Sequence, residues 1–225
     1  MPKVIVGMSG GVDSAVAAYL LKRQGYDVIG VTLRTWIGED GQEGRCCEIE
    51  DARETARLIG IPFHAFNCIS DFEDKVIKPF IDDYVNGLTP NPCVVCNREI
   101  KWDKLLYYAD VLQADYVVTG HYASVIKLDN GRYTVQKALH AEKDQTYMLY
   151  RLTQEQLKRT LMPLGEYSKQ QVREIAEKAG LRSRQSRIRR RYALWLTKII
   201  PISYASIRIK KYRMKAISQT RTGTF

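Results

Sequence analysis

The chain has 225 residues, of which 45% are hydrophobic, with five cysteines and a formal net charge of +10. This length allows one large α/β domain, or one and a half smaller ones, with a real hydrophobic core. No apolar run reaches the roughly 18 residues of a membrane span, and the N-terminus enters a strand directly, so we predict neither a membrane segment nor a signal peptide. An odd cysteine count without a secretory signal favours a cytoplasmic protein with thiol chemistry or metal binding over structural disulfides.

The positive charge lies at the C-terminus. Residues 1–180 hold 22 Lys and Arg and all 25 Asp and Glu, whereas residues 181–225 hold 13 Lys and Arg and no acid. A wholly basic tail is typical of a nucleic-acid-binding arm. This tail, however, also carries apolar side chains that such arms rarely contain, namely Leu194, Trp195, Ile199, Ile200 and Ile202.

The chain opens with a predicted strand, a glycine-rich turn and a helix. The β-branched run at residues 4–6 leads through Ser9, Gly10 and Gly11 into an apolar-periodic segment over residues 15–21. Glycines permit left-handed backbone angles, and the free amides and positive dipole of a helix N-terminus attract phosphate. The spacing fits neither the P-loop nor the dinucleotide fingerprint. We predict a phosphate site, with a plain turn before a core helix as the alternative.

Strand and helix patterns alternate along most of the chain. Strands are predicted over residues 27–33, 61–66 and 114–123, and helices over residues 48–59, from Asp71, and from Ser168 to a glycine stop at Gly180. A hairpin is predicted at residues 124–136, around Gly131. This alternation predicts a parallel-sheet α/β fold, in which ligands bind at the carboxyl ends of the strands.

A second unusual stretch, residues 89–98, combines two prolines with a C-x-x-C pair. Cys96 precedes Asn97, which we predict to cap a helix running to Leu106. A thiol at a helix N-terminus beside basic residues is expected to have a lowered pKa and to act as a nucleophile. Three alternatives are a pair of buried cysteines, a zinc site, for which Cys46 and Cys47 are poorly spaced, and an iron–sulfur cluster on Cys93, Cys96 and a third thiol.

Two further stretches admit more than one interpretation. His121, at the end of a predicted strand, is either a general base or phosphate partner, or a structural histidine. Residues 143–150 begin polar and end apolar, which also suits a solvated loop that enters the core.

Four motifs follow one another along the chain. They are Gly7-Met8-Ser9-Gly10-Gly11-Val12-Asp13-Ser14, Thr89-Pro90-Asn91-Pro92-Cys93-Val94-Val95-Cys96-Asn97, Thr119-Gly120-His121-Tyr122 and Lys143-Asp144-Gln145-Thr146-Tyr147. In this order and at these intervals they resemble the bacterial tRNA-specific 2-thiouridylase family. The resemblance covers residues 1 to about 181 and implies a Rossmann-like PP-loop ATP pyrophosphatase fold, of the adenine nucleotide alpha hydrolase type.

The resemblance implies ATP- and Mg²⁺-dependent 2-thiolation of the wobble uridine in tRNAs for Lys, Glu and Gln. It implies a cysteine desulfurase or persulfide relay protein as sulfur donor, and a disulfide bond. The implied catalytic residues are Cys96 as nucleophile, Asp13 and Cys93. The implied ATP-binding residues are Gly7, Met8, Ser9, Gly10, Gly11, Val12, Asp13, Ser14, Leu33 and Gly120. The implied tRNA- or base-binding residues are Asn91, Pro92, Cys93, Lys143, Asp144 and Gln145.

The chain departs from the family pattern at two places. Many members carry Asp at the position of Cys93, which leaves open whether this thiol serves base contact, sulfur chemistry or a cluster. After residue 181 the family continues into a segment that contains a persulfide cysteine, whereas this chain enters its basic tail. Codons for residues 182–193 can be chosen so that a shifted frame encodes that segment. We therefore expect residues 1–181 to form the catalytic domain, with a helical region from about residue 150, and residues 182–225 to be a frameshifted, poorly folded tail.

Other functions remain open on the residues alone. A truncated 2-thiouridylase of this kind is expected to bind ATP without completing thiolation. Another PP-loop enzyme that adenylates a small acid and transfers ammonia would have no use for the C-x-x-C loop. An ATP- and RNA-binding pseudoenzyme would hold RNA by its basic tail and bind it with a steep salt dependence.

Overall fold

A computed structural model describes residues 1–35 and 49–181. Residues 36–48, which include the Cys46-Cys47 pair, and the basic tail lie outside the described residues. Within those residues, no helix is both long enough and apolar enough to cross a membrane.

A five-stranded parallel sheet forms the centre of the fold. Its strands are β1 (Lys3–Gly7), β2 (Asp27–Arg34), β3 (Phe63–Asn67), β4 (Tyr116–Thr119) and β7 (Thr160–Leu161), in the order β3-β2-β1-β4-β7. The first strand therefore lies in the middle, with Val4 opposite Val28 on one side and Tyr116 on the other. A separate antiparallel hairpin pairs β5 (Ala123–Lys127) with β6 (Tyr133–Lys137). The parallel sheet and the hairpin confirm the expected α/β architecture.

Helices cover both faces of the sheet, as parallel strands require. On one face α1 (Val12–Arg23), α2 (Ile49–Ile59) and α8 (Lys169–Lys178) pack against Val4 and Val6. On the other face, α3 (Ile69–Phe72) and α6 (Asp103–Val111) contribute to a second core cluster around Ile5. The remaining helices are α4 (Lys78–Val85), α5 (Pro92–Cys96) and α7 (Gln154–Lys158), with π-helical turns at Glu73–Ile77 and Asn97–Trp102.

Two strand boundaries differ from the predicted ones. The strand predicted over residues 114–123 ends at Thr119, because the chain turns at Gly120 and resumes as β5 at Ala123. A Cβ on Gly120 would lie 2.7 Å from the Ser14 amide nitrogen, so the chain passes directly against the first turn of α1. The third strand is shifted to Phe63–Asn67, and its register with β2 pairs Leu33 with Phe66.

Helix α8 begins as its sequence predicts. Ser168 is the N-cap and accepts a hydrogen bond from the Gln171 amide, while the Gln171 side chain accepts one from the Ser168 amide. This reciprocal pair fixes the position of Lys169, the first residue of the helix.

Replacing Ser168 with alanine should lower the free energy of unfolding by about 1 kcal/mol, since one capping hydrogen bond is lost. Ser70, which is exposed within α3, offers a matched control, and Ser70→Ala should change stability by less than about 0.5 kcal/mol. Urea unfolding followed by circular dichroism measures both changes. Equal destabilisation by the two variants would contradict the capping role.

Candidate functional site

The glycine-rich turn joins β1 to α1 at the carboxyl edge of the sheet. The Met8 amide donates to the Val31 carbonyl at 2.8 Å, so the turn leaves the sheet beside β2. Gly10 has a φ of +74°, which explains the glycine there, and Gly11 is the N-cap of α1 without a side-chain cap. The first amides of α1 are therefore not satisfied by a capping side chain.

Two serines fix the shape of this turn. The Ser14 hydroxyl accepts from the Ser9 amide at 3.2 Å and donates to the Gly11 carbonyl at 3.1 Å. A Cβ built on Gly11 would approach only the Ser9 hydroxyl, at 3.4 Å. The turn thus combines a rigid backbone, an open glycine surface and a helix N-terminus, which fits a phosphate group.

Asp13, on the first turn of α1, is held by two residues from distant parts of the chain. The Tyr122 hydroxyl donates to Asp13 Oδ1 at 2.7 Å, and Lys169 Nζ donates to the same oxygen at 2.5 Å. Lys169 Nζ also lies 5.8 Å from the centre of the Tyr122 ring. The structure therefore places an acid, a cation and a phenol together beside the phosphate turn.

Sequence reasoning missed both Lys169 and Tyr122 as site residues. Lys169 is 156 residues from Asp13, and the capping pattern around it indicates only a helix start. Tyr122 ends one of the four motifs, but within that motif His121 was the candidate for a general base or phosphate partner. The sequence around Lys169 contains no local signal that this helix start faces the start of α1.

Leu33 and Gly120 lie at the carboxyl ends of β2 and β4, the edge where they were predicted. Leu33 is buried near the end of its strand. The close approach at Gly120 is to the protein itself, since a Cβ there would lie 2.8 Å from the Asp13 carbonyl carbon. Gly120 thus sets how closely the end of β4 packs on the phosphate turn.

The C-x-x-C stretch forms a helix that begins earlier than predicted. Asn91 is the N-cap, its Oδ1 accepts from the Cys93 amide at 3.1 Å, and Pro92 is the first helical residue. Asn91 and Asn97 are both of a residue type that commonly caps helices. Proline is favoured at the first helical position, and Pro92 directly follows Asn91, which therefore is the cap. The prediction that Asn97 caps the helix is therefore wrong.

The corrected helix start changes the argument about Cys96. Cys96 is the last residue of α5, and the chain continues directly into the π-helical turn and α6. Cys96 therefore does not lie at a helix N-terminus, where the helix dipole acts, and the reason given for its role as a nucleophile does not hold. Cys93 is exposed and Cys96 is half-buried.

Asn97 instead joins two of the predicted motifs. Only 2% of its surface is exposed, and its Nδ2 donates to the Met148 carbonyl at 3.1 Å. Its Oδ1 is buried and has no hydrogen-bond partner among the described residues. The residue after Cys96 is thereby fixed to the segment that follows Lys143-Asp144-Gln145.

Lys143, Asp144 and Gln145 occupy three different environments. Lys143 is exposed at the end of a short 3₁₀ helix, Ala141–Lys143. Gln145 is buried. Its side-chain Oε1 accepts from the Tyr122 backbone amide, and its backbone amide donates to the Tyr122 carbonyl. Of the three residues, Lys143 is thus the one best placed to meet a partner through its side chain, while Gln145 holds the segment to the phosphate turn through Tyr122.

Asp144 is a bonded carboxylate within the same segment. It accepts from the Ala138 amide at 3.0 Å and from the Thr146 hydroxyl at 2.6 Å. Burial alone would raise the pKa of Asp144, but the hydrogen bonds from Thr146 and Ala138 lower it below the usual 3.8. Asp144 therefore remains a carboxylate down to acidic pH.

His121 has the contacts of a structural histidine. Its Nδ1 lies 2.8 Å from the Thr119 hydroxyl, and its ring lies 5.7 Å from that of Trp102. Trp102 is fully buried and donates to the Thr160 hydroxyl at 2.7 Å. These contacts favour the structural interpretation of His121 over a role in proton transfer.

The third described thiol differs from the two in the C-x-x-C helix. Cys68 is 1% exposed, and burial raises its pKa to about 11, so it stays protonated at neutral pH. In residues 1–35 and 49–181 there is no group of three His, Cys, Asp or Glu side chains that could hold a metal ion. The described residues therefore supply no third ligand for a cluster on Cys93 and Cys96.

Comparison with known families gives a match over most of the chain. The family model described as "tRNA methyl transferase HUP domain" matches residues 2–188. The chain belongs to this family. The membership confirms the resemblance drawn from the four motifs, because the most similar curated members found are 2-thiouridylases.

Two of these relatives are described as tRNA-specific 2-thiouridylase MnmA. The one from Lachnoclostridium phytofermentans is 54% identical over 188 residues, which cover 80% of this chain and 53% of the relative. The one from Clostridioides difficile is 55% identical over 185 residues, which cover 80% of this chain and 51% of the relative. The chain thus spans about half the length of the curated relatives it matches.

Solved structures of low sequence identity share the fold. A 4-thiouridine synthetase in complex with RNA and ATP has a TM-score of 0.56 at 19% identity, covering 80% of this chain and 41% of that chain. The U34-tRNA thiolase NcsA from Methanococcus maripaludis, solved with a [4Fe-4S] cluster, has a TM-score of 0.54 at 22% identity, covering 82% and 58%. These likenesses confirm the expected PP-loop α/β fold.

The hydrogen bonds of Asp144 lead to a prediction about pH. A carboxylate whose folded pKa is lowered stabilises the protein above its unfolded pKa, and this contribution is lost as the pH falls through the folded pKa. Asp144→Asn should therefore lower stability at about pH 6, and its difference from the wild type should shrink towards about pH 2.5. Urea unfolding at several pH values measures the difference. Asp129→Asn, in the exposed hairpin turn, is the matched control and should show no such trend.

Proposed function

We propose that this chain is the ATP-dependent half of a tRNA 2-thiouridylase. The observation that carries the proposal is the chain of hydrogen bonds that links residues of all four motifs. Tyr122 bonds Asp13 at the phosphate turn and Gln145 in the Lys143 segment, and Asn97, next to Cys96, bonds Met148 in the continuation of that segment. These bonds join the glycine-rich turn, the turn after Cys96 and the segment that begins at the exposed Lys143, which suits an enzyme that activates a base and then attacks it.

The reaction that we assign has two steps. The C2 carbonyl oxygen of the wobble uridine, in tRNAs for Lys, Glu and Gln, attacks the α-phosphorus of ATP, and pyrophosphate leaves. A sulfur nucleophile then attacks C2, and AMP leaves with the former carbonyl oxygen. Adenylation is needed because a carbonyl oxygen is a poor leaving group and AMP is a good one. The proposal places this reaction in the cytoplasm, with a cysteine desulfurase or persulfide relay protein as sulfur donor.

The phosphate turn would bind the ATP phosphates through residues 7–14. Lys169, now paired with Asp13, lies where it can donate to a phosphate oxygen, and Asp13 is an oxygen ligand of the type that Mg²⁺ prefers. Bound Mg²⁺ would neutralise phosphate charge and favour pyrophosphate departure. Tyr122 keeps the Asp13 carboxylate oriented in either case.

Cys96 is the thiol that we assign to the displacement of AMP. It is partly accessible and held in place by Asn97, whereas Cys68 is buried and protonated. Cys93, exposed on the first turn of α5, would meet the target base together with Asn91 and Pro92. In the second step, the Cys96 thiolate would attack the inner sulfur of the donor persulfide and form a disulfide with the sulfur-delivering thiol. The persulfide S–S bond breaks and releases hydrosulfide, which attacks C2, and the C2–O bond breaks as AMP leaves.

Cys96→Ser in the full chain separates the two steps. With ATP, Mg²⁺, tRNA and a small-molecule persulfide, we expect the variant to keep tRNA-dependent pyrophosphate release and to lose AMP release and 2-thiouridine. The serine preserves size while removing the sulfur nucleophile. Cys68→Ala is the control and should leave all three products unchanged, because its thiol is buried. A Cys96→Ser variant that still released AMP would contradict the assigned role, and a wild-type chain without tRNA-dependent pyrophosphate release would contradict the proposed function.

Lys169→Met should weaken ATP binding by about tenfold or more, since one charge-assisted hydrogen bond to a phosphate is lost. Isothermal titration with ATP and with pyrophosphate measures the effect. Lys178→Met, at the other end of α8, is the matched control and should bind both ligands like the wild type. Unchanged ATP affinity in Lys169→Met would show that Lys169 serves only to hold α8 against α1.

A further inference from the structure

Two tyrosines stand exposed beside the turn that carries Cys96. Tyr147 is 57% exposed and Tyr150 is 72% exposed. Both lie in a segment whose other apolar residues pack into the core. Between and after them, Leu149 and Leu152 are 1% and 9% exposed. The two rings are therefore exposed even though the neighbouring leucines anchor the backbone in the core.

Several contacts fix the backbone that carries these rings. The Met148 amide donates to the Gln145 carbonyl, the Leu149 amide donates to the Thr146 carbonyl, and the Met148 carbonyl accepts from Asn97. Leu149 packs in the core cluster that also contains Trp102. A ring on such a backbone loses little conformational entropy when it stacks on a ligand, because tyrosine has only two side-chain torsions.

The position of the rings relative to Cys96 is set by two bridges. Asn97, directly after Cys96, bonds Met148, and the Arg151 guanidinium lies 3.8 Å from the Glu99 carboxylate on the same π-helical turn. Tyr147 and Tyr150 each directly precede a residue, Met148 or Arg151, that contacts the π-helical turn after the thiol. Lys143, exposed at the start of this segment, can meet a phosphate.

We propose that Tyr147 and Tyr150 form a stacking surface for unpaired RNA bases next to the target uridine. The inference rests on the proposed function, because a uridine that reaches Cys96 must bring its neighbouring nucleotides across this surface. Sequence-specific RNA binding commonly uses single-stranded loops whose bases splay out and stack on aromatic side chains. Stacking of this kind is tolerant of base identity, which suits an enzyme that accepts several tRNAs.

The test measures binding of the full chain to a lysine tRNA transcript as a function of salt. Tyr147→Ala and Tyr150→Ala should each weaken binding at least about fivefold with an unchanged salt slope, because stacking releases no counterions. Tyr147→Phe and Tyr150→Phe should bind within about twofold of the wild type, since phenylalanine keeps the ring. Lys143→Ala should instead make the slope of log affinity against log salt concentration shallower by about one, because one phosphate contact is lost.

Tyr107 provides the matched control. It is 60% exposed on α6, within the same range of exposure, and Tyr107→Ala should leave tRNA binding unchanged. A second readout uses a fluorescent base analogue next to the wobble position, whose emission should be quenched by the wild type and the phenylalanine variants but not by the alanine variants. Both readouts report on the bound RNA and do not depend on turnover.

Three results would overturn the inference. If the wild type binds tRNA and quenches the analogue while both alanine variants do the same, or if Tyr107→Ala weakens binding as much, the stacking surface is wrong and the proposed function stands. If the wild-type chain binds tRNA no better than an unrelated RNA of equal length, the proposed function falls, and the inference falls with it.

Discussion

The carboxylate of Asp13 is the point on which the candidate site depends. It receives the Tyr122 hydroxyl and the Lys169 ammonium, which come from the turn between β4 and β5 and from the start of α8. An exposed ion pair is worth little because water screens it, but this pair is mostly sheltered, with side-chain exposures of 24% and 30%. A second donor on the same oxygen further restricts its geometry. The phosphate turn, the sheet edge and α8 are therefore held in one arrangement.

Tyr122 carries this arrangement beyond the phosphate turn. Its side chain bonds Asp13, and its backbone makes two hydrogen bonds with Gln145, so a single buried residue contacts both motifs. Asn97 does the same from the other direction, because its amide bonds Met148 while its backbone belongs to the turn after Cys96. Losing a buried bond of this kind costs more than losing a surface contact, since a desolvated polar group is left without a partner. The geometry between the glycine-rich turn and Cys96 thus rests on hydrogen bonds around the segment at residues 145–148.

The elements predicted best from the sequence are those set by local rules. The strand at Lys3–Gly7, the glycine turn and the capping box at Ser168 follow from apolar period, backbone freedom and side-chain capping, which neighbouring residues determine. The start of α5 was predicted wrongly because Asn91 and Asn97 both suit an N-cap, and only Pro92, directly after Asn91, distinguishes them. Lys169 could not be found, because no local pattern shows that two helix starts 156 residues apart face each other. The buried state of Gln145 was hidden for the same reason, since its partner is the distant Tyr122.

Burial separates the thiols of this chain by their chemistry. Cys68 lies in the second core cluster, and the cost of an unsolvated thiolate raises its pKa to about 11, even though Lys104 nearby acts in the opposite direction. Cys96 packs at the edge of the same cluster but keeps partial access to solvent. Reactivity requires both an accessible sulfur and a position that does not vary, because a misplaced nucleophile loses the advantage of proximity. Cys93 is exposed in the first turn of α5, where Asn91 caps its amide, whereas Cys96 is half-buried and adjoins Asn97, whose side chain bonds Met148.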